Sequence, residues 1–254
     1  MKGLPARTGL AWLKAGFALF RQQPGILTMI VFSSLLATLL LSRLPLLGVI
    51  LIFAFAPCFS VAIQQACRLI DEGQRVGPAV LLTGFRKDTI GPLSRLGLVY
   101  FGTLVVLMIA ITPWINVESI QQASKMIQEN KEPVIDAVTQ RAVLILILLF
   151  NLTIFVLSFA PALIVWKRMK TFKAIFYSVF AVLGSKRALF VMLACWLGVF
   201  WSVLAAVGLV LGGTKISIVI AMWTLLISAL VLQCAIYAAY KQILGAPEDP
   251  PPSA

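Results

Sequence analysis

Pro24-Gly25-Ile26-Leu27-Thr28-Met29-Ile30-Val31-Phe32-Ser33-Ser34-Leu35-Leu36-Ala37-Thr38-Leu39-Leu40-Leu41-Ser42 runs for 19 residues without a charged side chain. As a helix, at 1.5 Å per residue, it rises about 28 Å, close to the roughly 30 Å of bilayer hydrocarbon. Arg43-Leu44-Pro45 follows, and then a second charge-free block, Leu46–Cys67. So short a link forces the second block to return beside the first, as a hairpin. Working outward, four more charge-free blocks appear: Leu96–Trp114, Ala142–Trp166, Ala188–Gly212 and Ile216–Tyr240, the last two joined tightly around Gly213-Thr214-Lys215.

Composition agrees. The chain is 61% hydrophobic and 12% charged, with a mean hydropathy of +1.00, against roughly 25% charged residues in soluble domains. Unpaired backbone groups cost several kcal/mol each in lipid, so spans must be helices or a closed barrel, and no barrel-like alternation is present. The expected fold is an all-α polytopic bundle of six spans forming one membrane domain over residues 1–244. The tail, residues 245–254, carries Pro247, Pro250, Pro251 and Pro252 and is expected to be disordered on the cytoplasmic side.

Lys and Arg fix the expected orientation. Sixteen lie before span one, between spans two and three, between four and five, and after six; only five lie in the alternate loops. Basic loops stay cytoplasmic during insertion, so both termini are expected in the cytoplasm. The first block is read as a retained anchor, because Arg43-Leu44-Pro45 is no small-x-small cleavage site.

A unit recurs three times on the expected cytoplasmic side, each time just before an outward span. It is an amphipathic helix with basic residues, read as an elbow turning the chain from the membrane plane into the span. In the first copy Leu10, Leu13, Phe17 and Phe20 share one half of the helix, and Arg7, Lys14 and Arg21 form a stripe on its border. In the third, Phe172, Ile175, Phe176, Val179 and Leu183 share a face opposite Lys167, Lys170 and Lys173. The middle copy, Gly77–Lys87, is shorter: Pro78 suits a first turn, and Val80, Leu81 and Phe85 precede Arg86-Lys87. Such helices sit in the headgroup layer, with cations on anionic lipid. They are either elbows alone or together a platform for lipids or a membrane-protein partner. No nucleic-acid partner is expected.

Phe55-Ala56-Pro57 and Phe159-Ala160-Pro161 echo one another in the two returning spans, and Pro57 and Pro161 are expected to kink their helices. Ala194, Gly198, Ser202 and Ala206 form a small-residue stripe suited to close helix packing, against this chain or a second copy. Trp114, Trp166 and Tyr240 close span ends as interfacial aromatics. Outside, Val117, Ile120 and Ile127 suggest a short amphipathic connector before Pro133.

No ionisable residue lies within a span block, and the chain has no histidine. A proton relay, an intramembrane aspartyl protease, a zinc protease and a Ser-His-Asp triad are therefore not expected. Cys58, Cys67, Cys195 and Cys234 have no paired metal or redox spacing and read as packing thiols. No catalytic residue, metal or cofactor is expected. The span amides and hydroxyls, Gln64, Gln65, Asn151, Thr153, Ser158 and Gln233, suit interhelical hydrogen bonds. They also leave open a path for a neutral or amphipathic solute between spans two and four, lined by Gln64, Gln65 and Asn151. The sequon at Asn151 falls in mid-span and is not read as a glycosylation site.

Over Gly9–Pro24 (GLAWLKAGFALFRQQP) the sequence resembles an uncharacterised family of proteobacterial inner-membrane proteins. The likeness continues through Arg43-Leu44-Pro45-Leu46-Leu47-Gly48, Phe55-Ala56-Pro57, Leu81-Leu82-Thr83-Gly84-Phe85-Arg86 and Phe159-Ala160-Pro161. More distantly, the elbow-then-span layout looks like the membrane domains attached to some glycerophosphodiester phosphodiesterases. The resemblance implies a bacterial inner-membrane address and carries no activity. The expected role is non-enzymatic, through lipid or protein contacts; the rivals are a transporter or channel and a membrane subunit of a larger complex.

A topology reporter checks the charge reading. Alkaline phosphatase fused after Glu129 should be active, and fusions at either terminus should be active only with a cytoplasmic reporter.

Overall fold

The computed structural model describes residues 5–128, 135–212 and 214–246. Every regular element among them is helical: α1 Arg7–Gln22, α2 Pro24–Leu41, α3 Leu47–Asp71, α4 Ile90–Ile111, α5 Val117–Gln128, α6 Ala137–Val156, α7 Ala160–Trp166, α8 Thr171–Gly184, α9 Lys186–Leu211 and α10 Lys215–Leu244. Two 3-10 stretches, Pro78–Phe85 and Thr112–Trp114, complete the set. Among the described residues, six stretches are long and apolar enough to cross a bilayer: Pro24–Leu41, Leu47–Asp71, Ile90–Trp114, Ala137–Trp166, Lys186–Leu211 and Lys215–Leu244. The fold is thus an all-α polytopic bundle with six membrane-length stretches. Several of these helices overrun the charge-free blocks by a turn or more, taking in Arg68, Asp71, Arg95 and Lys241, because nothing in the backbone stops a helix at the headgroup layer. The expected tail lies, from residue 247 on, outside the described residues.

The chain packs as two compact units. The first comprises Met1–Gly97 with Leu157–Ala254. Its core gathers at the end of the spans where α1 and the last turns of α3 and α10 meet. There Val61–Ala66 of α3 lies beside Leu230–Tyr240 of α10, and all seven residues of α7 are buried. Trp166 stacks edge-on against Tyr240 (4.8 Å between centroids) and Tyr237 (6.0 Å), and Phe159 meets Tyr240 at 6.2 Å. Further along the same helices the side chains are apolar and bare: only 6% of the most apolar window of α9 is buried. Lipid is the solvent that tolerates such a surface.

Two expectations about local structure change. The middle elbow is a 3-10 stretch laid flat on α3 in place of an amphipathic α-helix. Gly84 lies so close to α3 that a Cβ there would sit 2.6 Å from the Cys58 backbone, and Phe85 wedges between Phe55 and Phe59, 5.6 Å from each. The span from Ala142 to Trp166 is two helices, α6 and α7, separated by a turn at Leu157–Phe159. Pro161 falls in the first turn of α7, where its missing N–H costs nothing, so the chain restarts there. Gln64 Nε2 donates to the Ser158 carbonyl inside that turn (3.3 Å). Pro57, by contrast, stays within the unbroken α3. It offers no N–H to the Phe53 carbonyl, and α4 brings Gly97 to this same oxygen, so closely that a Cβ would sit 2.1 Å away.

The second unit is Leu98–Val156, holding most of α4 with α5 and α6. Its loops are capped by side chains. Asn116 Oδ1 accepts from the backbone N–H groups of Glu118 and Ser119 (3.0 and 3.3 Å), opening α5. Asp136 Oδ2 accepts from the N–H of Thr139 (2.9 Å), opening α6, and Thr139 Oγ1 accepts from the N–H of Asn116 (2.9 Å). The Thr139 N–H, helped by the hydroxyls of Thr139 and Ser119, holds the Asp136 carboxyl below its usual range. A carboxyl lowered by folding stabilises above its unfolded pKa, about 3.8, and that stability is lost as pH falls through the folded value. The protection of amides in the first turn of α6, measured as exchange rate relative to the intrinsic rate at each pH, should therefore fall below about pH 4 in the native chain, and Asp136→Ala should abolish that pH dependence.

Candidate functional site

The residues singled out by charge and small size fall on the elbows and on α9. What positions them is how each elbow docks. Helix α1 buries Gly9, Trp12, Gly16 and Leu19, spaced three, four and three apart, a single helical stripe. A Cβ on Gly9 would sit 2.1 Å from the Ala188 carbonyl oxygen of α9, and one on Gly16 would sit 2.5 Å from the Ala235 nitrogen of α10. Backbone thus meets backbone, as small residues permit in lipid. Helix α8 docks in the same way through Thr171, Ala174, Ser178 and Ala181, and Thr171 Oγ1 donates to the Pro92 carbonyl (2.9 Å). With the small faces turned inward, Leu10, Phe17, Phe172, Phe176, Phe180 and Leu183 remain exposed.

The cations decorate these outer faces. Arg7, Lys14, Arg21, Arg86, Lys87, Lys167, Lys170 and Lys173 are all exposed. The Arg21 guanidinium lies 5.8 Å over the Phe17 ring and Lys173 Nζ 6.0 Å over Tyr177. Lys167 Nζ donates to the Leu244 carbonyl at the last turn of α10 (2.9 Å), where a cation suits the helix dipole.

Beside α1 lies an open cavity of about 410 Å³ and mixed lining, with Ala11, Ala15 and Ala18 on one side and Asp71, Tyr237 and Lys241 on the other. Asp71 Oδ2 accepts from both Tyr237 Oη (3.0 Å) and Lys241 Nζ (2.6 Å), and Trp12 Nε1 donates to Gln242 Oε1 (2.5 Å). Arg68 pairs with Glu72 one turn along α3 (2.8 Å). The Asp71 bonds latch α3 to α10 and the Trp12 bond latches α1 to α10, while the Arg68–Glu72 pair stays within the end of α3. The half-exposed Asp71–Lys241 pair adds little energy, of the order of 0–1 kcal/mol, and serves to set register. The Cys67 and Cys234 sulfurs lie 2.7 Å apart in the buried seam between α3 and α10.

The remaining candidates are dispersed. Ala194, Gly198, Ser202 and Ala206 face away from this chain, and a Cβ on Gly198 would meet nothing within 4 Å. Helix α9 uses Ala188, Leu189 and Met192 for its close contacts instead. Of the residues assigned to a solute path, Gln64 serves the Ser158 carbonyl, Gln65 Oε1 accepts from Trp166 Nε1 (2.7 Å), and Asn151 donates to its own helix at Ile147 (2.8 Å). Sequence reasoning missed Trp12, Asp71, Tyr237, Lys241 and Gln242 as partners. The seven-residue spacing of Gly9 and Gly16 around Trp12 was the available signal.

The chain is 29% identical over 262 residues to a probable inner membrane protein of Burkholderia thailandensis, across 97% of this chain and 94% of that protein. The chain is an integral, multi-pass membrane protein. No family model matches it, and no solved structure does.

The docking contacts predict opposite outcomes for two glycine substitutions. Gly16→Ala should lower stability by about 1–3 kcal/mol, the cost of overpacking a close contact. Gly102→Ala, where nothing lies within 4 Å, should be neutral or raise it by up to about 1 kcal/mol. Unfolding in detergent, followed by circular dichroism, measures both.

Proposed function

We propose that this chain is a non-enzymatic protein of the bacterial inner membrane, with both termini in the cytoplasm, whose elbows form a platform for anionic lipid or a membrane-protein partner. The observation that carries the reading is the way α1 and α8 dock: α1 buries Gly9 and Gly16 together with Trp12 and Leu19 and leaves Leu10 and Phe17 exposed, and α8 buries Thr171, Ala174, Ser178 and Ala181 and leaves Phe172, Phe176 and Phe180 exposed, both beside exposed Lys and Arg. That combination suits the headgroup layer, where rings enter the acyl boundary and each cation adds about 1 kcal/mol on an anionic surface. The gathering of 16 of 21 basic residues on the elbow side supports the orientation, and the name of the Burkholderia relative supports the address. The internal bonds of Gln65 and Asn151 weigh against the solute path, although Gln64, which donates to the Ser158 carbonyl, leaves its own Oε1 buried without a partner.

A second reading, a membrane subunit of a larger complex, is favoured by the bare small-residue stripe of α9, which a neighbouring helix or a second copy would cover.

Photo-crosslinking side chains placed at Lys14, Arg86 and Lys173 test the platform in cells. Each should capture anionic phospholipid or one defined protein. Capture without headgroup preference and without a recurring protein at all three positions would overturn it.

A further inference from the structure

An apolar groove of about 550 Å³ runs along the outer side of α1, where α9 and α10 emerge from beneath it. Leu13 and Phe17 of α1, Phe200 and Val203 of α9, and Ile227 and Val231 of α10 form its wall. The polar groups in that wall are already bonded: Trp196 Nε1 donates to the Ser228 carbonyl (2.8 Å), Thr224 Oγ1 to Ile220 (2.8 Å) and Ser228 Oγ to Leu225 (2.9 Å). Nothing in the wall asks for a polar occupant. The rim differs, because Lys14 lines it, and Arg21, which does not line the groove itself, reaches its edge by standing over the ring of the lining residue Phe17. Among the described residues neither cation meets a carboxylate within 4 Å.

We infer that this groove is a seat for one anionic glycerophospholipid, with its phosphate at Lys14 and Arg21 and an acyl chain laid against Phe200, Val203 and Ile227. The inference rests on the platform reading and narrows it from three elbows to one bounded site. Charge complementarity selects the occupant. Within a bilayer, moving a chain from lipid to an apolar wall gains almost nothing by itself, so selection falls to the rim. At about fivefold per cation, two cations give roughly a thirtyfold preference for phosphatidylglycerol over phosphatidylcholine. The groove supplies shape: it takes an unbranched hydrocarbon chain alongside the helices, and a bulky side chain placed there would exclude it.

The test uses the full chain in nanodiscs of mixed phosphatidylglycerol and phosphatidylcholine, with a trace of either lipid carrying a photoactivatable group in its acyl chain. Adducts are mapped by mass spectrometry. With the phosphatidylglycerol probe, adducts should concentrate on Val199, Val203 and Ile227 over the equally bare Phe176 and Phe180 of α8, and the phosphatidylcholine probe should label the groove roughly thirtyfold less. Lys14→Gln with Arg21→Gln should erase that difference. Val203→Trp should remove adducts from Val199 and Ile227 while Lys14 and Arg21 remain; Val203 is partly exposed, so the variant is expected to fold, and its circular-dichroism melt confirms this. Even labelling of groove and α8, or groove labelling unchanged by both variants, overturns the seat. If crosslinkers at Lys14, Arg86 and Lys173 still capture anionic lipid in that case, the platform stands without it; if they show no headgroup preference, the platform itself has failed.

Discussion

Backbone-to-backbone contact between α1 and the pair α9 and α10 holds the first unit's elbow end together. In lipid, apolar side chains gain little by meeting each other, so helices associate where van der Waals contact is closest. Gly9 against the Ala188 carbonyl and Gly16 against Ala235 provide that contact. Much else follows from it. Trp12 is carried to Gln242, a cavity forms beside Asp71 and Tyr237, and the other side of α1, with Leu13, Lys14 and Phe17, is left bordering a groove. Were α1 held off by one methyl group at either glycine, the cavity and the groove would both lose a wall.

The same economy governs the two prolines. Pro161 removes a donor that the first turn of α7 would leave unpaired in any case, whereas Pro57 removes the one that would serve the Phe53 carbonyl inside α3. At Pro161 the helix stops and restarts, and Gln64 of α3 reaches into the turn. At Pro57 the helix continues, and the affected carbonyl is approached by Gly97 of α4. The tripeptide Phe-Ala-Pro therefore gives a break in one place and an unbroken helix in the other, because what packs beside it differs.

The spans were legible because absence of charge over about 20 residues is a property of single segments. Helix α5 was legible for a similar reason, the spacing of Val117 and Ile120. The middle elbow was not: Leu81 and Phe85 suggest an α-helical face, but the conformation is decided by Gly84 lying on Cys58, a long-range contact with no local signature. At the site, the exposed faces of α1 and α8 could be read from Phe and Lys, which carry strong hydropathy signals. Their buried faces could not be read as easily, since Gly, Ala, Ser and Thr are nearly silent on such scales and matter through what they omit. The Asp71–Lys241–Tyr237 cluster was hidden for another reason: its members stand about 170 residues apart, joined only once α3 and α10 lie side by side.

The bond from Trp12 to Gln242 spans 230 positions of chain. At ribosomal speeds of about 5–20 residues per second, α1 leaves the tunnel some 10–50 s before its partners exist. Until then none of the six spans that follow has completed the seat on which α1 docks, so the Gly16 and Trp12 contacts can close only when the last span is in place. Closure of the first unit is therefore the last step of its assembly, although its first helix is the first element made.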